Sequence, residues 1–404
     1  MTYKKYLYFL LGCVLLLQFV SIPVAGTHLK PYMIASILLF FPLIFNRKFK
    51  IVKFQVFETA WIVTYIVSSL SIVYAPNTQL AAQLVLGQCV LLLFFIFFRF
   101  LLIKNAARDE ILYKCFSIFI YLGLAFYVIG CIQVLVLGNS TVFYSQLNEH
   151  SYRVWGCYFE RDTFPRLMGV SESPNNFEYF AITILWWSIW KKKKTLAVVS
   201  FLTILLTLST TAMVVLSVQV LLYFLYKRRI NWKVLVLVAI LGYIGYNLTA
   251  DNEYIQGMIE IRKVRNETGS GRYDLWDATI KCIKERPVIG YGLNQFREIL
   301  PSSERASSHN NILETLLSTG AVGLLFYLFF LLSFFAYSIR LSHRYKDPFF
   351  LLMSVAFILF GMANNTLTIE YVPFILALTR SYGFSSLVGK MSTASRQKLL
   401  LSET

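Results

Sequence analysis

Apolar runs of about 20 residues recur along the whole chain, and they constrain its fold more than any other feature. Such a run, as a helix, crosses the ~30 Å hydrocarbon core of a bilayer. Lipid offers no hydrogen-bond partner to the backbone, so the runs must be helical there. Hydrophobic residues make up 57% of the chain and charged residues 15%, which excludes a soluble globular class. We predict an all-α, polytopic membrane protein that forms a single integral membrane domain over residues 1–404.

Basic residues indicate which loops lie on the inner side of the membrane. When loops are assigned alternately to the two sides, with Met1 to Lys5 inside, the inner loops hold 24 of the 38 Lys and Arg residues. They hold five of the 21 acidic residues. This excess is the positive-inside signal of membrane orientation. The net charge of +17 therefore predicts an orientation with both termini cytoplasmic, and it does not indicate a nucleic-acid partner.

The apolar runs and basic loops together predict about twelve membrane-spanning helices. Thr195–Tyr226 has basic clusters at both ends, so we predict two short helices there, joined by a turn at Ser209–Thr211. The other predicted spans are Tyr6–Ala25, Pro31–Phe45, Phe54–Val73, Leu80–Phe98, Ile111–Leu137, Asn175–Trp190, Trp232–Leu248, Asn311–Ile339, Pro348–Met362 and Tyr371–Val388.

Two predicted outer segments are long and polar: a first outer loop at 139–174 and a large outer loop at 249–308, where we expect the chemistry. The large loop carries nine basic and nine acidic residues, so it is not a general anion-binding surface. Apolar residues at helical spacing predict amphipathic helices within Asp251–Val264 and Tyr273–Glu285, the second limited by Pro287. Such helices suit the outer membrane surface, with their apolar sides down.

Arg272 opens the second of these predicted helices, directly after the sequence GSG at residues 269–271. A helix N-terminus presents unpaired N–H groups and a partial positive charge, and a guanidinium adds a forked donor. Arg272 is therefore a candidate ligand of phosphate or pyrophosphate, although an ordinary surface pair with Asp274 or Asp277 is also open. Arg166, at the end of the first outer loop, is either a second phosphate ligand or an interfacial anchor.

His309 stands just before the apolar span that begins at Asn311. Asn311 and Glu314 have the spacing of a capping box, which would fix His309 at the outer mouth of a membrane helix. A histidine titrates near neutral pH, so it can take a proton from a sugar hydroxyl. A histidine that only bonds loop backbone is the alternative, and the sequence by itself favours that alternative.

Two other residue types leave open questions. Four of the six cysteines lie in or beside apolar spans and show no metal-ligand spacing. Cys157 and Cys282 fall in outer loops, where a disulfide and two free thiols are both open. Arg380 lies inside the last predicted span, and an intramembrane charge is a functional hypothesis by default.

Three motifs make the chain resemble the O-antigen ligase and O-antigen or capsular polysaccharide polymerase superfamily. Residues 270–296 read SGRYDLWDATIKCIKERPVIGYGLNQF, similar to the family's pattern of S-G-R, then Trp, then P-x-x-G-x-G. Residues 307–328 read SSHNNILETLLSTGAVGLLFYL, similar to its H-N-x-x-L-E pattern before a Gly-containing membrane helix. Residues 166–177 read RLMGVSESPNNF, a weaker likeness to R-x-x-G followed by P-N.

The resemblance implies a glycosyltransferase, with no metal or cofactor, at the outer face of the bacterial inner (cytoplasmic) membrane. Its donor and acceptor would be undecaprenyl-pyrophosphate-linked glycans. It implies catalytic roles for Arg272, on the donor's pyrophosphate, and for His309, on the acceptor hydroxyl. The implied substrate-binding residues are Arg166, Asn310, Glu314 and Trp276. A chain-length regulator and a flippase are the implied protein partners, besides the lipid bilayer.

The resemblance leaves the exact activity open. Family ligases often carry an arginine in the turn between the two short middle helices, where residues 208–212 read LSTTA. This absence favours a polymerase, which joins lipid-linked repeat units, over a ligase, which moves finished glycan to lipid A-core or protein. Arg166 could instead supply the missing contact. A lipid-linked oligosaccharide flippase or transporter is a third hypothesis, which the small number of ionisable residues in mid-span disfavours.

Overall fold

The structure is a computed structural model that describes residues 2–24, 27–45, 49, 52–137, 144–148, 151–160, 165–228, 272–301 and 307–388. Within these ranges the chain forms thirteen α-helices. They are α1 Thr2–Leu16, α2 Pro31–Ile44, α3 Val56–Leu70, α4 Thr78–Lys104, α5 Arg108–Leu137, α6 Pro174–Trp190, α7 Lys194–Leu206, α8 Thr210–Lys227, α9 Arg272–Glu285, α10 Phe296–Ile299, α11 Asn311–Tyr345, α12 Phe349–Ala363 and α13 Tyr371–Val388. The predicted span Trp232–Leu248 and the predicted helix within Asp251–Val264 lie outside the described residues.

Five of the described helical segments are long and apolar enough to cross a membrane: Val56–Tyr74, Thr78–Lys104, Arg108–Val136, Thr210–Lys227 and Asn311–Tyr345. Three more apolar helices, α2, α7 and α12, are shorter. The chain is therefore a mostly helical protein with several membrane-length helices. The predicted number of twelve spans is not confirmed.

The first predicted span, Tyr6–Ala25, is wrong in its second half, because α1 ends at Leu16. Beyond it the Gln18 side chain donates to the Val14 carbonyl oxygen, at 2.9 Å, in place of a further backbone amide. The chain then forms a two-stranded antiparallel sheet of β1 Ile22–Val24 and β2 Thr27–Leu29. Pro23 within β1 also disfavours helix for the residue before it.

The first outer loop contains an antiparallel sheet that the apolar pattern did not predict. Its four strands, in spatial as well as chain order, are β3 Tyr144–Asn148, β4 Ser151–Val154, β5 Cys157–Glu160 and β6 Arg166–Leu167. The sheet packs on α5, where Gly130 leaves room for it: a Cβ at Gly130 would lie 2.6 Å from the Val154 carbonyl oxygen. β6 therefore brings Arg166 to the helical bundle.

Segments predicted to lie outside the membrane contact one another at one end of the bundle, called here the outer end. Tyr74 donates to the carbonyl oxygen of Ile289, at 2.7 Å, and Asn77 accepts from the Gln295 side chain, at 2.9 Å. The Lys30 ammonium bridges Glu172 and Glu370. These contacts tie the starts of α2, α4 and α13 to the two outer loops.

Segments predicted to lie inside meet at the opposite, inner end. There Glu58 of α3 is fully buried between Arg99 of α4, at 2.6 Å, and Arg380 of α13, at 3.4 Å. Arg99 also donates to the carbonyl oxygens of Val52 and Lys53. Arg380 is thus held in an ion-pair network that fastens three helices together.

Candidate functional site

The motifs at residues 270–296 and 307–328 contact each other through backbone hydrogen bonds. α11 is interrupted at Gly320, where the backbone is not helical. Amide and carbonyl groups on both sides of this break form hydrogen bonds with segment 287–292 instead. The amides of Tyr291 and Gly292 donate to the carbonyl oxygens of Leu317 and Ser318, both at 2.8 Å. In the other direction, the amides of residues 321 and 322 donate to the carbonyl oxygens of residues 287 and 288. The P-x-x-G-x-G motif therefore acts as a clamp on the helix that follows His309.

Glycine is required on both sides of this clamp. Gly320 has φ +62° and ψ −160°, a conformation open almost only to glycine, and a Cβ there would collide with the Val288 backbone. Gly290 has φ +70°, and its Cβ would lie 2.6 Å from the Leu317 carbonyl oxygen. Side chains at these positions would push segment 287–292 away from α11.

Helix α9 carries Arg272 as its first residue, as predicted, and a side-chain contact ties this helix to the segment before α11. The indole Nε1 of Trp276 donates to the carbonyl oxygen of Ser308, at 2.9 Å. Leu275 of α9 also packs in a small apolar cluster with Phe296 and Leu317. Arg272 is therefore positioned on a helix that contacts the residue next to His309.

His309 lies in a bend with φ +51°, a left-handed conformation that is uncommon for a residue with a side chain. The predicted cap at Asn311 is wrong by one residue. Asn310 is the N-cap, and its Oδ1 accepts from the amides of Ile312 and Leu313. The reason is that Asn311 is buried and used elsewhere, on Tyr327 and Thr366 of the bundle.

Glu314 and Asn310 hold the bend in place. The Glu314 Oε2 accepts from both the amide and the hydroxyl of Ser308, each at 3.0 Å. Asn310 Nδ2 donates to the carbonyl oxygen of Met362 at the end of α12, at 3.1 Å. Two predicted substrate-binding residues thus have structural partners here, and they fix the backbone on both sides of His309.

Arg166 lies against the turn in which family ligases often carry an arginine. The predicted pair of helices is present as α7 and α8, but the turn lies at residues 207–209 instead of Ser209–Thr211, and α8 is long enough to cross a membrane. The Arg166 Nε donates to the carbonyl oxygen of Thr207, at 2.9 Å, and the guanidinium lies over the Tyr158 ring. The first outer loop therefore brings an arginine to a turn that has none of its own.

Glu178, in the first turns of α6, connects the two arginines. Its carboxyl is fully buried, and the positive charges of Arg166 and Arg272 both act on it. Ser209 of the α7–α8 turn lies beside it. Within the described part of the chain, no hydrogen bond of ordinary geometry reaches either carboxylate oxygen. The charges of the two predicted arginines thus act on one buried acid.

The third motif, residues 166–177, is held near Glu178 by an ion pair and a side-chain hydrogen bond. Glu172 receives the Lys30 ammonium at 2.9 Å, and Lys30 also contacts Glu370 at 3.2 Å. Burial alone would lower the pKa of Lys30, but the charges of Glu370 and Glu172 outweigh it, so the pKa lies above its usual value. Asn175 donates to the side chain of Asn364, at 3.4 Å, between α12 and α13.

Glu178 and the neighbour of Cys157 are not among the residues that the sequence singles out. An acid within the first turns of an outward-facing span was the available signal for Glu178. The Cys157 Sγ lies 3.5 Å from that of Cys131 on α5, a distance that sequence spacing does not reveal. Among the described residues, no group of three or more His, Cys, Asp and Glu side chains could hold a metal ion.

A comparison with known protein families finds a match over the region that contains two of the three motifs. Residues 195–328, about a third of the chain, match the family model described as O-antigen ligase. The match includes the α7–α8 pair and both specific motifs, and it confirms the superfamily resemblance. Over these residues the chain is similar to that family. No curated protein matches the chain.

Proposed function

We propose, from this match to the O-antigen ligase family, that the protein is a glycosyltransferase acting on undecaprenyl-pyrophosphate-linked glycan at the outer face of the membrane. The proposal is supported by the placement of Arg166 against the α7–α8 turn and of Arg272 at the start of α9, where the charges of both act on the buried Glu178. Two guanidinium groups from distant parts of the chain, near one helix N-terminus, suit an anion with two phosphate groups. The donor's pyrophosphate is such an anion.

The proposed reaction transfers the donor's reducing-end sugar. An acceptor hydroxyl oxygen forms a new bond to the anomeric carbon, while the bond from that carbon to the pyrophosphate oxygen breaks. His309 takes the hydroxyl proton, and lipid pyrophosphate leaves with the electron pair of the broken bond. Arg166 and Arg272 stabilise the negative charge that develops on the leaving group. The arginines supply this charge, so the proposed step uses no metal.

Glu178 acts as a positioning residue in this proposal. The charges of both guanidinium groups act on this buried acid, which would help to orient them before the donor arrives. Its neighbour Ser209 belongs to the α7–α8 turn, and Arg272 begins α9. Glu178 therefore lies near both elements. Preorganised charges of this kind need not rearrange when the transition state forms.

The acceptor distinguishes a polymerase from a ligase. In the sequence, the α7–α8 turn lacks an arginine of its own, which favours a polymerase. Because Arg166 contacts that turn, the lack of an arginine within the turn no longer separates a polymerase from a ligase. The description of the matching family as O-antigen ligase favours a ligase. We therefore propose lipid-linked glycan transfer, with a polymerase and a ligase as the two candidate activities.

Deletion of the gene, followed by gel analysis of surface and lipid-linked glycan, tests the function and separates the candidates. A lost polymerase leaves a single repeat unit on the surface anchor. A lost ligase leaves long glycan on the lipid carrier and none on the anchor. Normal surface glycan, normal in both length and amount, would contradict both. A plasmid copy with Arg297→Ala, an exposed arginine of the same loop, should restore the wild-type pattern.

A further inference from the structure

A polar cavity of about 310 Å³ opens beside the His309 segment, between α3, α4 and α11. Ser307, two residues before His309, and Glu314 form part of its wall. The turn between α12 and α13 and the segment at 293–294 complete it. Ligand pockets usually span roughly 300–1,000 Å³, so this cavity is large enough for a small ligand or one part of a larger one.

Most of the hydroxyl groups in the wall already use their protons. Five of them donate to backbone carbonyl oxygens, in the pairs Thr64–Ala60, Tyr65–Leu367, Ser68–Tyr65, Thr315–Asn311 and Thr319–Thr315. A hydroxyl has one proton to donate and two lone pairs that accept. With the protons committed to backbone, these groups can only accept from a ligand. The wall is therefore rich in hydrogen-bond acceptors.

Two further groups strengthen this character. The Asn365 Oδ1 atom is buried in the wall and has no hydrogen-bond partner within the described residues. The Glu314 carboxylate lies in the wall as well. The described residues that line the cavity include no Lys, Arg or His. A phosphate would meet acceptors and a carboxylate here, so this cavity does not suit the pyrophosphate.

We infer that the cavity is a subsite for an uncharged sugar unit of the glycan, an inference that rests on the proposed function. A sugar ring offers several hydroxyl donors and no negative charge, which is the complement of an acceptor-rich wall. Apolar side chains in the same wall, Leu84 and Leu293 among them, suit the C–H groups of the ring. Arg166 and Arg272 then serve the anionic part of the substrate, and the cavity serves its polyol part.

A binding measurement tests this subsite separately from catalysis. The probe is the repeat-unit glycan, released from its lipid carrier by mild acid and freed of phosphate. It is titrated against the purified full-length protein in nanodiscs. The double variant Thr64→Val/Asn365→Leu removes two acceptors while keeping similar volume. We expect its Kd to be about tenfold higher than that of the wild type, because two hydrogen bonds are lost.

Two controls separate a failed subsite from a failed function. Thr59→Val makes the same change on α3, at an exposed threonine whose hydroxyl donates to Gln55 in the same way, and it should bind as the wild type does. Arg272→Ala should also bind this phosphate-free probe normally while losing transfer. Equal Kd values for the double variant and the wild type, or no binding by the wild type, would overturn the subsite. Full transfer by Arg272→Ala would instead contradict the proposed function.

Discussion

Replacing Glu58 by glutamine tests the ion-pair network that fastens α3, α4 and α13 at the inner end. Glu58 is fully buried, and its oxygens lie 2.6 Å from Arg99 Nε and 3.4 Å from Arg380 Nε. Both arginine side chains are also nearly inaccessible, at 2% and 3%. Glutamine keeps the shape of the side chain and removes its charge. Two buried cations then remain with no anion between them.

The expected loss of stability is large. Removing one partner of a buried ion pair costs about 3–5 kcal/mol, since the other charge stays desolvated. Here two cations depend on one acid, while the backbone carbonyl oxygens of Val52 and Lys53 still accept from Arg99. These bonds place the cost towards the lower end, at about 3 kcal/mol. That is a substantial fraction of the roughly 5–15 kcal/mol by which folded domains are stable.

The assay is the thermal unfolding midpoint of the purified protein in one detergent. Glu58→Gln should lower the midpoint by several degrees. Glu110→Gln, which removes an exposed pair with Lys114, should leave it unchanged. The double variant Glu58→Gln/Arg380→Gln should recover part of the loss, because one uncompensated cation is gone. A Glu58→Gln protein that unfolds at the wild-type temperature would refute the reasoning.

Three further predictions concern the outer end. Glu178→Gln should lower kcat at least tenfold without raising KM for the donor, and Glu178→Asp should restore part of kcat; a raised KM with unchanged kcat would contradict a positioning role. Oxidation of membranes with copper phenanthroline should cross-link Cys131 to Cys157, seen as joined peptides by mass spectrometry, whereas free thiols after oxidation would contradict the 3.5 Å separation. Gly320→Ala should lower the unfolding midpoint, since the backbone conformation alone costs roughly 1–3 kcal/mol. Gly12→Ala should not lower the midpoint, because a Cβ at Gly12 meets no atom within 4 Å. Equal unfolding midpoints for Gly320→Ala and the wild type would contradict the clamp.

Local patterns were sufficient for the helical elements of the site. Basic clusters at both ends of an overlong apolar run predicted the α7–α8 pair. The glycine break and Pro287 predicted α9, with Arg272 at its start. Glycine and proline limit a helix through the backbone conformation of a few residues. The length of an apolar run shows whether one helix could span the membrane. The same signals misplaced the cap of α11, because Asn310 and Asn311 are chemically equivalent as caps and only tertiary contacts select between them.

Long-range contacts account for most of what the sequence did not reveal. The four-stranded sheet joins short strands in a polar loop, where the apolar pattern carries no signal. The break at Gly320 depends on segment 287–292, whose backbone replaces the missing helical partners. The meeting of Arg166 with the α7–α8 turn likewise depends on how β6 packs. The last two are pairings between distant segments, which spacing along the chain does not encode, whereas the sheet pairs strands that are neighbours in the chain.

Glycan transfer by the purified protein tests the central claim most directly. The full-length protein in nanodiscs receives lipid-linked glycan extracted from cells that lack the gene, with and without lipid A-core as acceptor, and released lipid pyrophosphate is measured. The wild type should release it, and His343→Ala, a histidine at the inner end, should match the wild type. Arg272→Ala and His309→Ala should each lower the rate by about a hundredfold or more. Wild-type rates from either of these two variants would contradict the account.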